Sequence, residues 1–274
     1  MYESYWQLER RPFEHTLDAR FHFAAESQRG AILKLRYVLE NRRGAALLAG
    51  ESGLGKTLVA QSLLRQLGDT HQPRVHLVYP QMPADQLLTY LADQLTGQYS
   101  PLTGTLDQSV RRIEQALNAA AKAGQHAVVV IDEAHLLRET QALESFRLLM
   151  NFQHEGQPLA TFLFVGQTGL AVAAERLPQF DERLAVKCIL TRLTAAETRG
   201  YIQHRLTVAG ATRTIFDDSA FATIQELTHG IPRRINRLCD LALLVGYGEE
   251  LNTLSAAHLE SIHDELIGRA AAAA

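Results

Sequence analysis

The chain has 274 residues and a net charge of −3, from 27 lysines and arginines against 30 aspartates and glutamates. Because 46% of the residues are apolar, the chain can build a sizeable core, which excludes a disordered protein. The near-neutral charge also excludes a strongly basic, histone-like protein, so any contact with nucleic acid would need a local basic patch.

The first 23 residues mix aromatic side chains with glutamate, arginine and histidine, and they lack the apolar segment of a signal peptide. No stretch of the sequence approaches the ~20 apolar residues that a membrane-spanning helix needs. The two cysteines, Cys188 and Cys239, lie far apart and form no metal-binding or redox motif. These features predict a reduced, cytoplasmic protein, which would reach the inner face of the inner membrane only through partners or a segment outside this chain.

Up to about residue 190, apolar runs of strand length alternate with longer segments of helical periodicity, which predicts βα units and a mostly parallel sheet. The predicted strands cover residues 45–49, 75–79, 127–131, 161–165 and 186–190. The third and fourth are apolar almost throughout, which is typical of central strands that are buried on both faces. Amphipathic helices are predicted over residues 27–43, after Pro83 and after Thr105.

From residue 194 onward the strand pattern disappears. Thr194 and Glu197 form a capping-box pattern at the start of the first of four predicted helices. These helices cover residues 194–208, 217–227, 231–245 and 255–267. The chain is therefore predicted to divide into an α/β core, residues 1–193, and a small all-helical domain, residues 194–274.

A glycine-rich segment follows the first predicted strand. Its sequence, GESGLGKT over residues 50–57, fits the G-x-x-x-x-G-K-[ST] phosphate-binding motif. In such a loop, backbone N–H groups turn toward a phosphate, Lys56 reaches the β- and γ-phosphates, and Thr57 places its hydroxyl on Mg²⁺. The alternative is a chance glycine-rich turn, which the strand before it and the helical period after it disfavour. The candidate nucleotide-binding residues here are Gly50, Glu51, Ser52, Gly53, Leu54, Gly55, Lys56, Thr57 and Leu58.

The third predicted strand ends in two carboxylates, Asp132 and Glu133. Parallel sheets bind ligands at the carboxyl ends of their strands, so both side chains are expected beside the phosphate loop. There Asp132 would hold the Mg²⁺ shell and Glu133 would polarise the attacking water, because phosphoryl transfer depends on a positioned nucleophile. The alternative is an acidic helix N-terminus with no chemical role, and the phosphate loop makes that the weaker interpretation.

Further polar residues are candidates for contact with the transferred phosphate. Gln167, with Thr168 as a substitute, follows the fourth predicted strand and would lie between the two motifs, where it could orient water or sense the γ-phosphate. Arg183 and Arg233 are the candidate arginines, since a guanidinium binds well to the charge that develops on a phosphoryl group. The alternatives are a solvated turn residue for Gln167 and surface salt bridges for the arginines.

These residues together resemble the AAA+ ATPases of the ExeA/GspA group, the general secretion pathway protein A ATPases, which are related to the TniB and TnsC transposition ATPases. The resemblance rests on an N-terminal Arg-Pro-Phe segment with Pro12 and Phe13, on the segments GESGLGKT, VVVIDEAH and FVGQTGL, and on GIPRRIN at residues 230–236. It implies an α/β P-loop NTPase (AAA+) fold, with a parallel five-stranded sheet flanked by helices and followed by a small all-helical lid domain. It also implies ATP and Mg²⁺ as cofactors.

The resemblance implies roles for single residues as well. Gln167 would be the sensor-1 residue, Arg233 the sensor-2 arginine of the lid, and Arg183 the arginine finger that a neighbouring subunit inserts. Pro12 and Phe13 would pack near the adenine, as a segment of the core. Members of this family assemble into rings or helical filaments with ATP between protomers, so a homo-oligomer is expected.

Two functions remain open at this point. In one, the protein is an oligomeric motor or switch that acts with secretion or cell-envelope assembly proteins. In the other, it is a DNA-associated transposition regulator that forms ATP-dependent oligomers on duplex DNA, for which it offers arginine clusters at residues 10–11, 42–43, 111–112 and 233–237. A third alternative, a nucleotide-binding scaffold with little turnover, is disfavoured by Glu133.

Overall fold

The structure, a computed structural model, describes residues 1–14, 18–99, 105–137 and 141–272. The chain forms two compact units. The sheet unit comprises Glu26–Ser52 and Lys56–Leu190, and the helical unit comprises Met1–Ala25, Gly53–Gly55 and Thr191–Ala274.

The sheet unit alternates strands and helices, as predicted. Its elements are α1 (Glu26–Glu40), β1 (Ala45–Gly50), α2 (Lys56–Gln66), β2 (Arg74–Leu77), α3 (Ala84–Thr96), α4 (Leu106–Lys122), β3 (Ala127–Ile131), a 3₁₀ turn (Ala134–Leu137), α5 (Gln141–Leu149), β4 (Gln153–His154), β5 (Gln157–Pro158), β6 (Ala160–Gly166), α6 (Thr168–Glu175), α7 (Pro178–Asp181) and β7 (Leu184–Leu190). Each predicted strand is present, with ends that differ by two residues at most.

Five strands form one parallel sheet in the order β2-β3-β6-β1-β7, which confirms the predicted fold class. Every residue of β1, β3 and β6 is buried, because these strands are covered on both faces. Since β6 lies between β1 and β3, the carboxyl ends of the three motif-bearing strands are neighbours at one edge of the sheet. This order confirms the prediction that the fourth predicted strand, β6, is central in the sheet.

Two predicted elements end earlier than expected. β2 stops at Leu77, whose carbonyl accepts the Asp132 N–H at 2.8 Å. After Asp132 the neighbouring chain turns away at Glu133, where φ is +49°, so residues 78–79 have no strand to pair with. Similarly, α1 ends at Glu40 rather than at residue 43, because Arg42 takes a left-handed conformation with φ of +52°.

The sequence analysis did not predict α5, α6, α7 or the small β4–β5 hairpin. α6 and α7 have only eight and four residues, which is too short for a helical period to be recognised. Their apolar side chains nevertheless complete the core, since Phe180 on α7 packs edge-to-face on Phe164 of β6 with ring centroids 5.0 Å apart. These segments are therefore packed layers of the sheet unit rather than loops.

The helical unit has four main helices, which confirms the pattern predicted after residue 193. They are α8 (Ala195–Val208), α9 (Asp218–Thr228), α10 (Pro232–Gly248) and α11 (Ala256–Ala272), and a short 3₁₀ turn lies at Ala19–Phe21. Thr194 caps α8, and Asp217 caps α9 by accepting the Ala220 N–H at 3.0 Å. Within the described ranges, no helix is long and apolar enough to span a membrane.

The N-terminal segment groups with the helices, which differs from the expected core of residues 1–193. Its aromatic side chains fill the core of the helical unit. Trp6 is fully buried and its indole N–H donates to the Leu243 carbonyl at 2.8 Å. Phe13 is only 3% exposed and packs edge-to-face on Phe216. Burial of these rings supplies the physical reason for the grouping, because each removes a large apolar area from water.

Candidate nucleotide-binding site

The phosphate-loop motif joins β1 to α2, as the sequence predicts. Gly53 and Gly55 both have φ of +88°, a conformation that glycine adopts without a steric penalty. Lys56 begins α2, and its ammonium group is buried against the loop, where it donates to the carbonyls of Gly50 at 3.0 Å and Glu51 at 2.9 Å. The loop thus holds a compact positive charge at the N-terminus of a helix, which is a favourable place for an anion.

The next residue of the motif meets the end of β3. The Thr57 hydroxyl donates to Asp132 Oδ2 at 2.8 Å, and the other carboxylate oxygen, Oδ1, accepts the Glu133 N–H at 2.9 Å. The structure therefore brings together the two residues that the sequence predicts as metal ligands. One is a hydroxyl and the other a carboxylate, and oxygen donors of this kind are those that Mg²⁺ prefers.

Asp132 is buried, yet its surroundings favour the ionised form. Burial by itself would raise the pKa, but the interactions with His76, Thr57 and the Glu133 N–H outweigh burial and leave the pKa of Asp132 below its ordinary value of 3.8. The carboxylate is consequently charged at neutral pH, as a metal ligand must be.

Glu133 stands at the point where the chain leaves the sheet. Its backbone is left-handed, with φ of +49°, an uncommon conformation for a residue other than glycine and one that clusters at functional sites. The side chain is 47% exposed, and its Oε2 lies 3.2 Å from His135 Nδ1. Glu133 is thus a solvent-accessible carboxylate next to Asp132, and its role as the water-activating base stays a prediction.

Gln167 follows β6 directly and is the N-cap residue of α6. Its side chain is exposed and makes no capping hydrogen bond. Because β6 lies between β1 and β3, Gln167 comes from the strand between the phosphate loop and the two carboxylates. Its role as a sensor stays a prediction.

Arg233 lies in the first turn of α10, and its side chain is exposed. Its backbone N–H donates to the Gly53 carbonyl at 3.3 Å. A Cβ atom at Gly53 would lie only 2.9 Å from the Cβ of Arg233, so this close approach requires glycine in the loop. The start of α10 and this loop residue thus contact each other through backbone atoms.

The GIP sequence before Arg233 has a local structural reason. Gly230 has φ of +67°, and a Cβ there would lie 2.1 Å from the Leu193 carbonyl oxygen. In return, the Gly230 carbonyl accepts the Leu193 N–H at 2.9 Å. Pro232 then occupies the first turn of α10, where a missing N–H has no cost. The motif therefore fixes the position at which α10 begins.

Arg183 is exposed just before β7. Its guanidinium donates to Asn151 Oδ1 at 2.7 Å. The salt bridge considered in the sequence analysis is not formed with Asp181, which instead accepts from Lys187 Nζ at 2.8 Å. A neutral partner leaves the positive charge of Arg183 available to an anion, although its role as an arginine finger stays a prediction.

Pro12 and Phe13 are both buried in the helical unit. Arg205 on α8 holds this segment: its Nε donates to the Pro12 carbonyl and its Nη2 to the Glu14 carbonyl at 2.8 Å. The Arg205 guanidinium also contacts the Tyr201 hydroxyl at 3.1 Å. The adenine contact predicted for Pro12 and Phe13 stays a prediction, and the anchoring role of Arg205 was missed because no motif contains it.

Comparison with known proteins agrees with this geometry. Residues 39–172 match the family described as AAA domain. The chain is also 31% identical over 275 residues to general secretion pathway protein A of Aeromonas hydrophila, in an alignment that covers 97% of this chain and 50% of that protein. Residues 39–172 therefore form an AAA domain. The chain spans about half the length of this curated relative.

Solved structures show the same fold as this chain. The ORC2 protein of Aeropyrum pernix, solved as ADPNP and ADP complexes, has a TM-score of 0.70 at 15% identity, covering 94% of this chain and 72% of that one. The ORC1 protein of Aeropyrum pernix in complex with DNA has a TM-score of 0.70 at 18% identity, covering 91% of this chain and 68% of that one. At these identities the likeness establishes the fold alone.

Two histidines lie beside the carboxylates and were not predicted. His76 on β2 has Nε2 3.5 Å from Asp132 Oδ2, and His135 approaches Glu133 as described above. The pairing of β2 with β3 aligns His76 with Val130, two residues before Asp132 and therefore on the same face of the sheet. No motif contains His76, so only the strand register could have indicated it.

Proposed function

We propose that this protein is an AAA ATPase that binds ATP with Mg²⁺ and hydrolyses it to ADP and phosphate. The observation that carries the proposal is the 2.8 Å contact between Thr57 of the phosphate loop and Asp132 at the end of β3. This contact joins the two sequence motifs at one point, and Glu133 follows directly. Mg²⁺ sites in nucleotide-binding proteins use one or two protein oxygens plus substrate phosphates, which suits this pair.

Each residue of the site has a separate role in ATP binding and hydrolysis. Lys56 exchanges its loop carbonyls for the β- and γ-phosphate oxygens, and the N–H groups of residues 50–58 surround the phosphates. Thr57 and Asp132 hold Mg²⁺, which neutralises charge on the phosphates when it is bound. Glu133 accepts a hydrogen bond from the attacking water and orients it, while Gln167 contacts the γ-phosphate.

The arginines extend the proposal to an assembly. Arg233 binds the nucleotide from α10, and the exposed Arg183 acts on ATP bound by a neighbouring copy of the chain. A homo-oligomer, as a ring or a helical filament with ATP at the protomer interfaces, follows from this arrangement. The relative from Aeromonas hydrophila is named for general secretion, which supports a cytoplasmic motor or switch for secretion or envelope complexes as the biological role.

Two substitutions test the hydrolytic site. Glu133→Gln should retain ATP binding and lower the rate of hydrolysis by about 100-fold or more, because it removes the group that orients the water. Lys56→Ala should abolish ATP binding, measured by titration calorimetry. Two substitutions of exposed residues, Glu260→Gln on α11 and Lys122→Ala at the end of α4, are the matched controls and should behave as wild type. Hydrolysis at the wild-type rate by Glu133→Gln would show that the assignment of Glu133 is wrong.

A mixing experiment tests the action of Arg183 between subunits. The Arg183→Ala protein and the Glu133→Gln protein should each be inactive alone. When they are mixed, some interfaces combine an intact Arg183 with an intact Glu133, so part of the activity should return. Mixed samples that stay at the level of the separate proteins would exclude a role across the interface.

A second function, binding of duplex DNA, is supported by one local feature. Arg233, Arg234 and Arg237 are all exposed on the first two turns of α10. Such a cluster can contact phosphates, and binding would then weaken steeply with salt. Fluorescence anisotropy with a labelled duplex, with and without ATP over a salt series, tests it. No binding at low salt would leave the secretion role as the proposal.

A further inference from the structure

His135 is placed directly against the proposed water-activating carboxylate. Its Nδ1 lies 3.2 Å from Glu133 Oε2, and the histidine side chain is 15% exposed. Nδ1 itself is buried, and within the described ranges it has no hydrogen bond of full geometry. Buried polar atoms are nearly always paired in proteins, so a ring nitrogen in this place requires an explanation.

The backbone around His135 is held tightly. The Leu136 N–H donates to the Glu133 carbonyl at 2.9 Å, which starts the 3₁₀ turn Ala134–Leu137. A Cβ atom at Gly166, the last residue of β6, would lie 3.0 Å from the His135 nitrogen and 3.4 Å from its Cβ. Glycine at the end of β6 therefore lets this turn approach the strand that leads into Gln167.

The left-handed conformation of Glu133 completes the arrangement. The backbone of Glu133, with φ of +49°, changes the direction of the chain after β3. The turn that follows places His135 beside the Glu133 side chain. The strain of this conformation is thus accompanied by a specific polar contact.

The geometry points to His135 as a positioning residue that orients the Glu133 carboxylate by donating its Nδ1–H to Oε2. This inference rests on the proposed function, ATP hydrolysis with Glu133 as the group that orients water. With one carboxylate oxygen held by the imidazole, the other is directed to accept the hydrogen bond from water. Hydrogen bonds of catalytic groups are often poorly aligned until substrate binds, which accounts for a contact of 3.2 Å that lacks full hydrogen-bond geometry.

Three substitutions of the same residue test the inference. His135→Ala should lower kcat for ATP hydrolysis by about 10-fold, with the KM for ATP unchanged, because orientation matters in the transition state rather than in binding. His135→Asn carries an amide N–H close to the position of Nδ1 and should restore most of kcat. His135→Gln carries its amide near the position of Nε2 and should remain as slow as His135→Ala. His154→Ala, in the exposed β4–β5 hairpin, is the matched control and should have no effect.

A double substitution separates positioning from a general structural effect. Because His135 acts only through Glu133, His135→Ala added to Glu133→Gln should change the slow residual rate by less than about 2-fold. Equal rates for the Asn and Gln variants, or a wild-type kcat for His135→Ala in a protein whose thermal unfolding is unchanged, would overturn the inference.

Different results would contradict the proposed function itself. If wild type and Glu133→Gln hydrolyse ATP equally, the role of Glu133 is wrong and His135 has nothing to position. If wild type hydrolyses ATP, Glu133→Gln does not, and His135→Ala matches wild type, then only the inference about His135 is wrong.

Discussion

Buried charged groups serve different purposes in the sheet unit and in the helical unit. At the carboxyl edge of the sheet, Lys56 and Asp132 are buried beside backbone groups and a hydroxyl that an incoming ligand can replace. In the helical unit, the buried Arg205 is committed to the carbonyls of Pro12 and Glu14 in the chain's own N-terminal segment. Exchangeable partners characterise a binding site, whereas partners within the fold characterise an anchor, so burial of charge alone does not identify function.

The largest expected effect on stability comes from the removal of a buried aromatic ring in the helical unit. Trp6→Ala should lower the free energy of unfolding by about 3–5 kcal/mol, because it removes a fully buried ring and leaves a cavity. The loss includes the indole hydrogen bond to Leu243 and the contact with the Arg213 guanidinium, 4.7 Å from the ring centroid. Denaturation by urea measures it.

Tyr99→Ala is the control for that prediction, since Tyr99 in the sheet unit is 86% exposed. Its effect should stay within about 0.5 kcal/mol. A loss below about 1 kcal/mol for Trp6→Ala would mean that residues 1–25 add little to the helical unit, against the grouping described above.

The two regions also differ in how much of them could be predicted from the sequence. In the sheet unit, apolar runs and local motifs carry the information, so the strands and the residues Lys56, Thr57, Asp132 and Glu133 were predicted. The N-terminal segment of the helical unit depends on contacts between distant residues, such as Trp6 with Leu243, which leave no periodic pattern. Its assignment to the core was therefore the part of the domain prediction that the structure changed.

Within the candidate site the same distinction applies to single residues. Asp132 and Glu133 are consecutive in a motif, so their chemistry could be predicted. His135 lies beside Glu133 in the turn that follows the left-handed Glu133, and His76 approaches Asp132 through strand register. Neither condition follows from local sequence, since backbone conformation of a non-glycine residue and strand order are set by the whole fold.

The next prediction concerns a buried histidine of the sheet unit that lies away from the site. His126 is 2% exposed, and its Nε2 lies 2.8 Å from the Thr161 hydroxyl. Burial, together with the charge of Arg42 and the neighbouring His71, lowers the pKa of His126 from 6.5 to about 4. Below pH 6.5 the unfolded chain therefore binds a proton that the folded protein does not bind, so stability falls as pH falls toward 4.

This contribution should amount to about 2 kcal/mol at pH 5 relative to pH 7.5, measured as the difference in urea denaturation between the two pH values. His126→Gln keeps an amide near Thr161 but does not titrate, so its stability should depend less on pH by that amount. His154→Gln in the exposed hairpin should leave the pH dependence as in wild type. The same pH dependence in His126→Gln and wild type would contradict the assignment.

The smallest expected effects on stability concern two helix caps, one from each unit. In the helical unit, Thr194 Oγ1 accepts the Glu197 N–H at 3.3 Å, and Glu197 Oε2 accepts the Thr194 N–H at 2.9 Å. In the sheet unit, α4 also begins with a capping box, but a looser one: the Thr105 N–H donates to Gln108 Oε1 at 3.3 Å, and the Thr105 hydroxyl donates to Asp107 Oδ1 at 2.6 Å. Thr194→Ala should therefore destabilise the protein by about 1 kcal/mol, and Thr105→Ala by about half of that.

Equilibrium denaturation of both variants tests the order of these two effects rather than their absolute size. The reciprocal cap at Thr194 pairs two backbone N–H groups of α8, one of them through Glu197, so Glu197→Ala should cost nearly as much as Thr194→Ala. The double variant should then cost clearly less than the sum, because each single change already breaks the reciprocal pair. Additive losses would mean that the two hydrogen bonds act independently and that α8 is capped no better than α4.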